Sequence, residues 1–287
     1  MSRTLDIFFT KNPDKKIEYE KIKQLYSQGK SLTEICKQST FERHQLARLL
    51  KADNIEIKQN GQKYYYNENA FKNIDNEIDA YWLGYMYADG NINELRMVCD
   101  LSMAEIDKSH LEKFRDYISP SKQLIKRESK YSKDSKTFYS YRLYITNKQI
   151  TQNLIDNNCL WSKTYDVEFP TFIDDKYMPH FIRGFFDGDG CIAEGPKQYN
   201  LNFTCANEHF LISLQKYLNI NSNMKINKIS YDNRSEAKKI QWSAKQNLID
   251  FYNYIYKDAT VYLDRKYNKY TQIIAVLSQK SQETQDD

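Results

Sequence analysis

Asp89 and Asp189 stand one hundred positions apart at the ends of two look-alike stretches, DAYWLGYMYADGNI (Asp79 to Ile92) and PHFIRGFFDGDGCI (Pro179 to Ile192). In each, large apolar residues at helical spacing run into Asp-Gly, and a strand-like stretch opens at Ile92 or Ile192. Gly84 and Ala88 in one copy answer Gly184 and Gly188 in the other, and small residues four apart share one helical face. Glycine inside a helix costs about 1 kcal/mol relative to alanine, so its retention here calls for a packing reason. A face without side chains lets two helices approach closer than the usual ~8–10 Å, which would set Asp89 beside Asp189. Carboxylates brought together repel unless they share a proton or a cation. Hard cations such as Mg²⁺ take one or two carboxylates plus water and phosphate oxygens, and paired metals serve both the attacking and the leaving oxygen in phosphodiester cleavage. The chemistry expected of the pair is therefore metal-assisted hydrolysis of two nucleic-acid strands.

A single Asp-Gly after an apolar helix is ordinarily a C-cap and turn. Repetition changes that reading. Tyr81 answers Phe181, Tyr85 answers Phe185, Met86 answers Phe186, and Asp89-Gly90 answers Asp189-Gly190.

At these residues, WLGYMYADG and IRGFFDGDG, the chain resembles the LAGLIDADG homing endonucleases in the single-chain form with two motifs. The resemblance covers roughly Glu77 to Ile274. It implies that Asp89 and Asp189 are the metal-binding catalytic acids, with Mg²⁺ as cofactor and other divalent cations such as Mn²⁺ as alternatives. The sixth motif position, commonly Asp in the family, is Asp187 in the second copy but Tyr87 in the first. The family also places a basic residue near the scissile phosphate after the last helix of each half, which by resemblance makes Lys163 and Lys266 catalytic candidates. A polar residue at the end of the second strand corresponds to Glu105 and Asn207.

The elements that must position these acids repeat as well. After each Asp-Gly come two strands, a helix near Leu111 to Ile118 or Phe210 to Leu218, a hairpin with the polar turns SKDSK or DNRSE, and a helix at Lys148 to Asn158 or Lys245 to Tyr256. Alternation of Met97, Cys99, Leu101 and Met103, and of Leu201, Phe203 and Cys205, with polar neighbours predicts sheets with one buried and one open face. The fold class is α+β, and the resemblance implies two pseudo-symmetric αββαββα repeats of the LAGLIDADG fold, at 77–174 and 175–277, with a disordered tail at 278–287.

Basic residues cluster at equivalent places in both repeats. Ser121 to Ile150 holds eight Lys or Arg against two acids, and Met224 to Lys245 holds six against two. A two-stranded ribbon fits the major groove, where every base pair shows its own donor and acceptor pattern. Arg96, Lys126, Arg127, Arg142, Asn202, Lys225, Lys228, Arg234 and Lys239 are the candidate contacts, most of them to phosphate.

Residues 1–62 have a different rhythm. Ile22, Leu25 and Tyr26 form a helical face, Gly29 breaks it, Ser31 and Glu34 make a capping box, and a later helix carries Leu46, Leu49 and Leu50. This outlines an all-helical, helix-turn-helix-like DNA-binding domain whose last helix presents His44, Gln45 and Arg48 to the groove, joined to the repeats by a linker at 63–76.

The rest of the sequence narrows the class. Five cysteines without metal-ligand spacing fit a reducing compartment. No secretion signal or bilayer-length apolar run is seen, so a cytoplasmic, DNA-associated protein is expected. An intein is not, since no Cys or Ser begins the chain and no His-Asn ends it. The leading expectation is a monomeric site-specific double-strand DNA endonuclease with a long recognition site. The alternatives are a non-cleaving DNA-binding regulator and an intron maturase binding RNA on the same fold.

Overall fold

Asn76 starts the first motif helix: its side-chain oxygen accepts the backbone N–H of Asp79 at 2.9 Å, satisfying a donor that the helix itself leaves open. In the computed structural model, which describes residues 3–57, 64–130, 137–159, 167–195, 198–231 and 237–283, this helix is one of a repeated pair. The chain divides into two compact units, residues 1–67 with 116–123, and residues 68–115 with 124–287.

From Glu77 onward the chain follows one order twice. Helix α5 (Glu77–Ala88) leads to β1 (Asn91–Asn93), β2 (Val98–Ala104), α6 (Lys108–Ile118), β3 (Ile125–Ser129), β4 (Phe138–Ile145) and α7 (Lys148–Asp156). Helix α8 (Met178–Asp189) leads to β5 (Gly190–Glu194), β6 (Tyr199–Cys205), α9 (Glu208–Ser222), β7 (Ser230–Tyr231), β8 (Lys238–Trp242) and α10 (Lys245–Tyr256), and α11 (Asp264–Glu283) follows. Each repeat folds one antiparallel four-stranded sheet, ordered β1-β2-β4-β3 and β5-β6-β8-β7. The expected α+β architecture with two αββαββα halves is what the chain forms. Both hairpin turns, SKDSK and DNRSE, lie outside the described residues.

Alternation sets the faces. In β2, Cys99, Leu101 and Met103 are buried, whereas Ser102 and Ala104 are exposed. In β6 the core residues are Leu201 and Phe203, which pair across the sheet with Trp242 and Ile240. The buried aromatic residues of α8 close over the second sheet, with Phe185 stacked on Phe203 at 5.9 Å between ring centres.

The smaller unit contains α1 (Arg3–Lys11), α2 (Lys15–Ser27), α3 (Leu32–Cys36) and α4 (Arg43–Ala52), around a core that includes Leu5, Phe9, Tyr19, Ile22, Leu46 and Leu50. The capping box forms as read, with Glu34 N–H donating to Ser31 Oγ at 3.2 Å and Ser31 N–H to Glu34 Oε2 at 2.9 Å. Gly29 has φ +94°, and a side chain there would begin 2.8 Å from Ser121 Cβ, so both conformation and space require glycine. Helix α1 was not foreseen; Leu5 and Phe9, one turn apart, are its buried anchors.

The polar end of the chain departs from expectation. Residues 278–283, read as disordered, continue α11, because adding residues to an existing helix avoids the cost of nucleation, and buried Tyr270 and Ile273 hold that helix down. Among the described residues, no helix is long and apolar enough to cross a membrane.

Candidate active site

The two motif helices touch through their glycines, and the contact is reciprocal. A Cβ built on Gly184 would lie 1.9 Å from the carbonyl oxygen of Tyr81, and one built on Gly84 would lie 2.0 Å from that of Phe181. One turn on, a Cβ on Gly188 would lie 2.3 Å from Ala88 Cβ and 3.5 Å from Asp89 Oδ2. The backbones of α5 and α8 thus meet along the face the sequence left bare, and the Asp89 carboxylate lies against Gly188, the residue before Asp189. Asp89 is exposed and Asp189 half-buried. An oxygen-only donor set that water and a phosphate could complete suits a hard divalent cation. No group of three or more His, Cys, Asp or Glu gathers among the described residues, so the two aspartates are the donors to consider.

Beneath them the interface is polar and paired. Arg183, fully buried in α8, donates from Nη2 to Glu77 Oε1 at 2.6 Å, from Nε to Val261 O at 2.8 Å and from Nη1 to Ile255 O at 2.7 Å. Glu77 also accepts from Thr260 N at 2.6 Å and Thr260 Oγ1 at 2.8 Å. Burial pushes its carboxyl pKa up, but the Thr260 bonds and the Arg183 charge outweigh this and hold it below the ordinary value.

The sixth motif position is hydrogen-bonded within the protein in both copies. Asp187 accepts from Tyr81 OH and from Leu263 N–H, both at 2.8 Å, and burial pushes its carboxyl up to about 6. Tyr81 OH in turn lies 2.7 Å from His110 Nε2, whose imidazole burial drives down to about 3. With Tyr81 donating to Asp187, neutral His110 carries its proton on Nε2. Tyr87, the counterpart of Asp187, donates to Asn157 O at 2.7 Å.

Lys266 differs from expectation. It is 8% exposed, and its ammonium donates to the carbonyls of Phe186 (2.7 Å), Asp187 (2.8 Å), Gly188 (3.3 Å) and Gly190 (2.5 Å). Its protons are committed to the C-terminal end of α8, where a cation compensates the helix dipole, and burial lowers its pKa. In this structure Lys266 occupies the dipole-compensating position at the end of α8. Lys163 lies outside the described residues. Asn207 caps α9 through His209 N at 2.9 Å, and Glu105 lies 3.7 Å from Lys126.

Register distributes the basic candidates. Arg142 pairs across strands with Ser102 and Ile125, and Arg127 with Ser140, so both arginines share the open face of the first sheet. Lys126 pairs with Tyr141 and stacks 3.8 Å over Tyr139, on the opposite face beside Leu143; alternation counts faces only once the strand's register is known. Asn202 and Lys239, opposite Gln241 and Thr204, are on the open face of the second sheet. Arg96 is exposed in the β1–β2 turn, and Lys225 and Lys228 are exposed before β7. Arg234 lies outside the described residues. In the smaller unit His44 and Arg48 are exposed on α4 and Gln45 is half-buried. All three line a cavity of about 330 Å³ with Ile7, Phe8, Lys11, Asn12 and Leu49.

Sequence reasoning missed Glu77, Arg183, Tyr81 and His110. Arg183 carried a signal, being a charge inside an apolar motif where the first copy has Leu83.

Residues 177–256, from the residue before α8 to the end of α10, match the LAGLIDADG-like domain family. Among solved structures the chain is similar to full-length DUF199/WhiA from Thermatoga maritima (16% identity, 72% of this chain and 64% of that one, TM-score 0.46). It is also similar to the LAGLIDADG meganuclease I-AabMI bound to uncleaved DNA (13%, 71% and 91%, 0.43) and to the I-LtrWI LAGLIDADG homing endonuclease bound to target DNA (12%, 73% and 92%, 0.45). No curated protein matches the sequence.

Proposed function

We propose that this chain is a site-specific double-strand DNA endonuclease, acting as a monomer whose two halves each address one strand of a long site. The observation that supports it most is the reciprocal contact of Gly84 with Phe181 and of Gly184 with Tyr81, which brings two Asp-Gly helix ends together. Asp89 and Asp189 would hold Mg²⁺ or a similar divalent cation, which when bound supplies an activated water and charge compensation at the phosphate. The protein's own part is positional. The glycine contact fixes how far apart the carboxylates stand, Arg183 of α8 holds the start of α5 through Glu77, and Lys266 holds the last turn of α8. The open sheet faces would lie in the major groove, with Arg96, Arg127, Lys225, Lys228 and Lys239 chiefly on phosphate, where contacts fix register rather than read sequence. Helix α4 would add duplex contacts through His44, Gln45 and Arg48.

The test is cleavage of a randomised duplex library with Mg²⁺, sequencing the ends, beside Asp89→Asn/Asp189→Asn. Discrete ends at one long motif, lost in the variant while binding persists, are expected. Binding without cleavage by the unmodified protein would favour a regulator, and preference for RNA a maturase. Full cleavage by the variant would overturn the site.

A further inference from the structure

The open face of the first sheet holds an arginine that is already aimed. Arg142 donates from Nε to Asp100 Oδ2 at 2.8 Å, and Nη2 bonds Asp100 Oδ1. Asp100, itself 6% exposed, also accepts from Asn91 Nδ2 at 3.0 Å, and the guanidinium carbon sits 4.8 Å over the Tyr144 ring. A carboxylate on one edge and a ring on one face fix the guanidinium plane, and the bond to Asp100 raises the arginine's pKa further. Nη1 makes no hydrogen bond among the described residues, and the side chain keeps 20% of its surface open. The five N–H donors of a guanidinium form a rigid fork; Asp100 occupies the Nε side and leaves the two Nη groups at the outer end for a second planar acceptor pair.

We infer that Arg142 reads a guanine in the major groove through its outer N–H groups, with Asp100 as the positioning residue; this rests on the DNA-binding reading above. Guanine offers O6 and N7 as paired acceptors in the plane of the base, and a bidentate arginine on them is the commonest specific contact in the major groove. Among the described residues the second sheet has no such pair at the equivalent places. By register the places of Asp100 and Arg142 are taken there by Asn202 and Lys239, since Asn202 faces Gln241 and Lys239 faces Thr204 as Asp100 faces Tyr144 and Arg142 faces Ser102. The guanine preference therefore belongs to one half of the site only.

The experiment is selection from a randomised duplex library by the full chain in EDTA, with Arg142→Lys, Arg142→Ala and Asp100→Asn in parallel and thermal melts to confirm folding. The unmodified protein is expected to select one guanine about 5- to 150-fold over other bases. Arg142→Lys keeps the charge but loses the fork, and it should flatten that position alone. Asp100→Asn should flatten it too while affinity for a non-specific duplex stays within about twofold. A motif unchanged in both Arg142 variants, or a uniform loss of affinity across all sequences, would overturn the assignment while leaving the DNA-binding reading intact. No motif selected by any form, the unmodified chain included, would overturn both.

Discussion

Glu77 in the first turn of α5 and Arg183 in the second turn of α8 join the two repeats, Nη2 to Oε1 at 2.6 Å, in surroundings where the guanidinium has no solvent exposure. A buried charge that loses its partner is costly, typically about 3–5 kcal/mol, whereas removing both partners is often near neutral. Glu77→Gln or Arg183→Leu alone should lower the urea midpoint sharply, and the double variant should regain much of the loss. If the single losses simply add, the pair is not coupled as described.

Gly184→Ala would be favourable by helix propensity, by about 1 kcal/mol. The added carbon would fall 1.9 Å from the Tyr81 carbonyl, and backbone cannot swing aside as a side chain does. Overpacking usually costs about 1–3 kcal/mol, so the clash outweighs the gain, and moving the helices apart would separate Asp89 from Asp189. The expected result is a destabilised protein whose cleavage falls more than its DNA affinity. Wild-type cleavage by Gly184→Ala would contradict the close approach.

The buried line His110, Tyr81, Asp187 gives a pH signature with two opposing parts. His110 ionises near 6.5 when unfolded and about 3 when folded, so between those values the unfolded state binds the extra proton and stability falls with falling pH. Asp187, raised from 3.8 to about 6, binds its extra proton in the folded state between those values, and stability rises with falling pH. The two nearly cancel between pH 4 and 6. Asp187→Asn should unmask the histidine slope, about 1.4 kcal/mol per pH unit at most, and His110→Gln should show the reverse. Urea midpoints at intervals from pH 6.5 to 4.5, compared with the unmodified protein, check both signs; equal pH profiles in all three proteins would exclude the linkage.

Lys266→Met removes the cation from four carbonyls. Each unpaired buried acceptor costs about 1–3 kcal/mol, reduced where water enters, so a clear fall in melting temperature is expected. Cleavage should drop through displacement of Asp189 but stay above that of Asp189→Asn, and DNA affinity should change little. A variant as inert as Asp189→Asn yet fully stable would instead put the lysine in the chemistry.

Local patterns were legible in the sequence because they depend on neighbours along the chain. The Asp-Gly repeats, the small-residue face and the order of strands and helices all follow from spacings of two and four, and Ser31 with Glu34 announced its own capping box. Contacts between distant residues were not. Nothing in the sequence ties Tyr81 to Asp187 or Glu77 to Thr260. The carbonyl contacts of Lys266 could not be foreseen, because its partners are backbone groups, which every residue has. Lys126 was placed with Arg127 and Arg142 on charge alone, although adjacent strand residues must face opposite ways.

The two copies of the motif are no longer the same partner. Tyr81 donates a hydrogen bond from its hydroxyl to Asp187, while at the mirrored place Phe181 meets the Tyr87 ring edge-on at 5.1 Å. Pairing two first repeats would set Tyr81 against Tyr87, and pairing two second repeats would set Phe181 against Asp187, leaving a buried carboxylate with no hydroxyl to bond. Either like pairing would lose the Tyr81–Asp187 hydrogen bond between the motif helices, so each half fits the other better than its own kind. The symmetry is kept by the backbone, whose elements repeat in the same order, but the side chains make the linkage of two unlike halves the arrangement that fits.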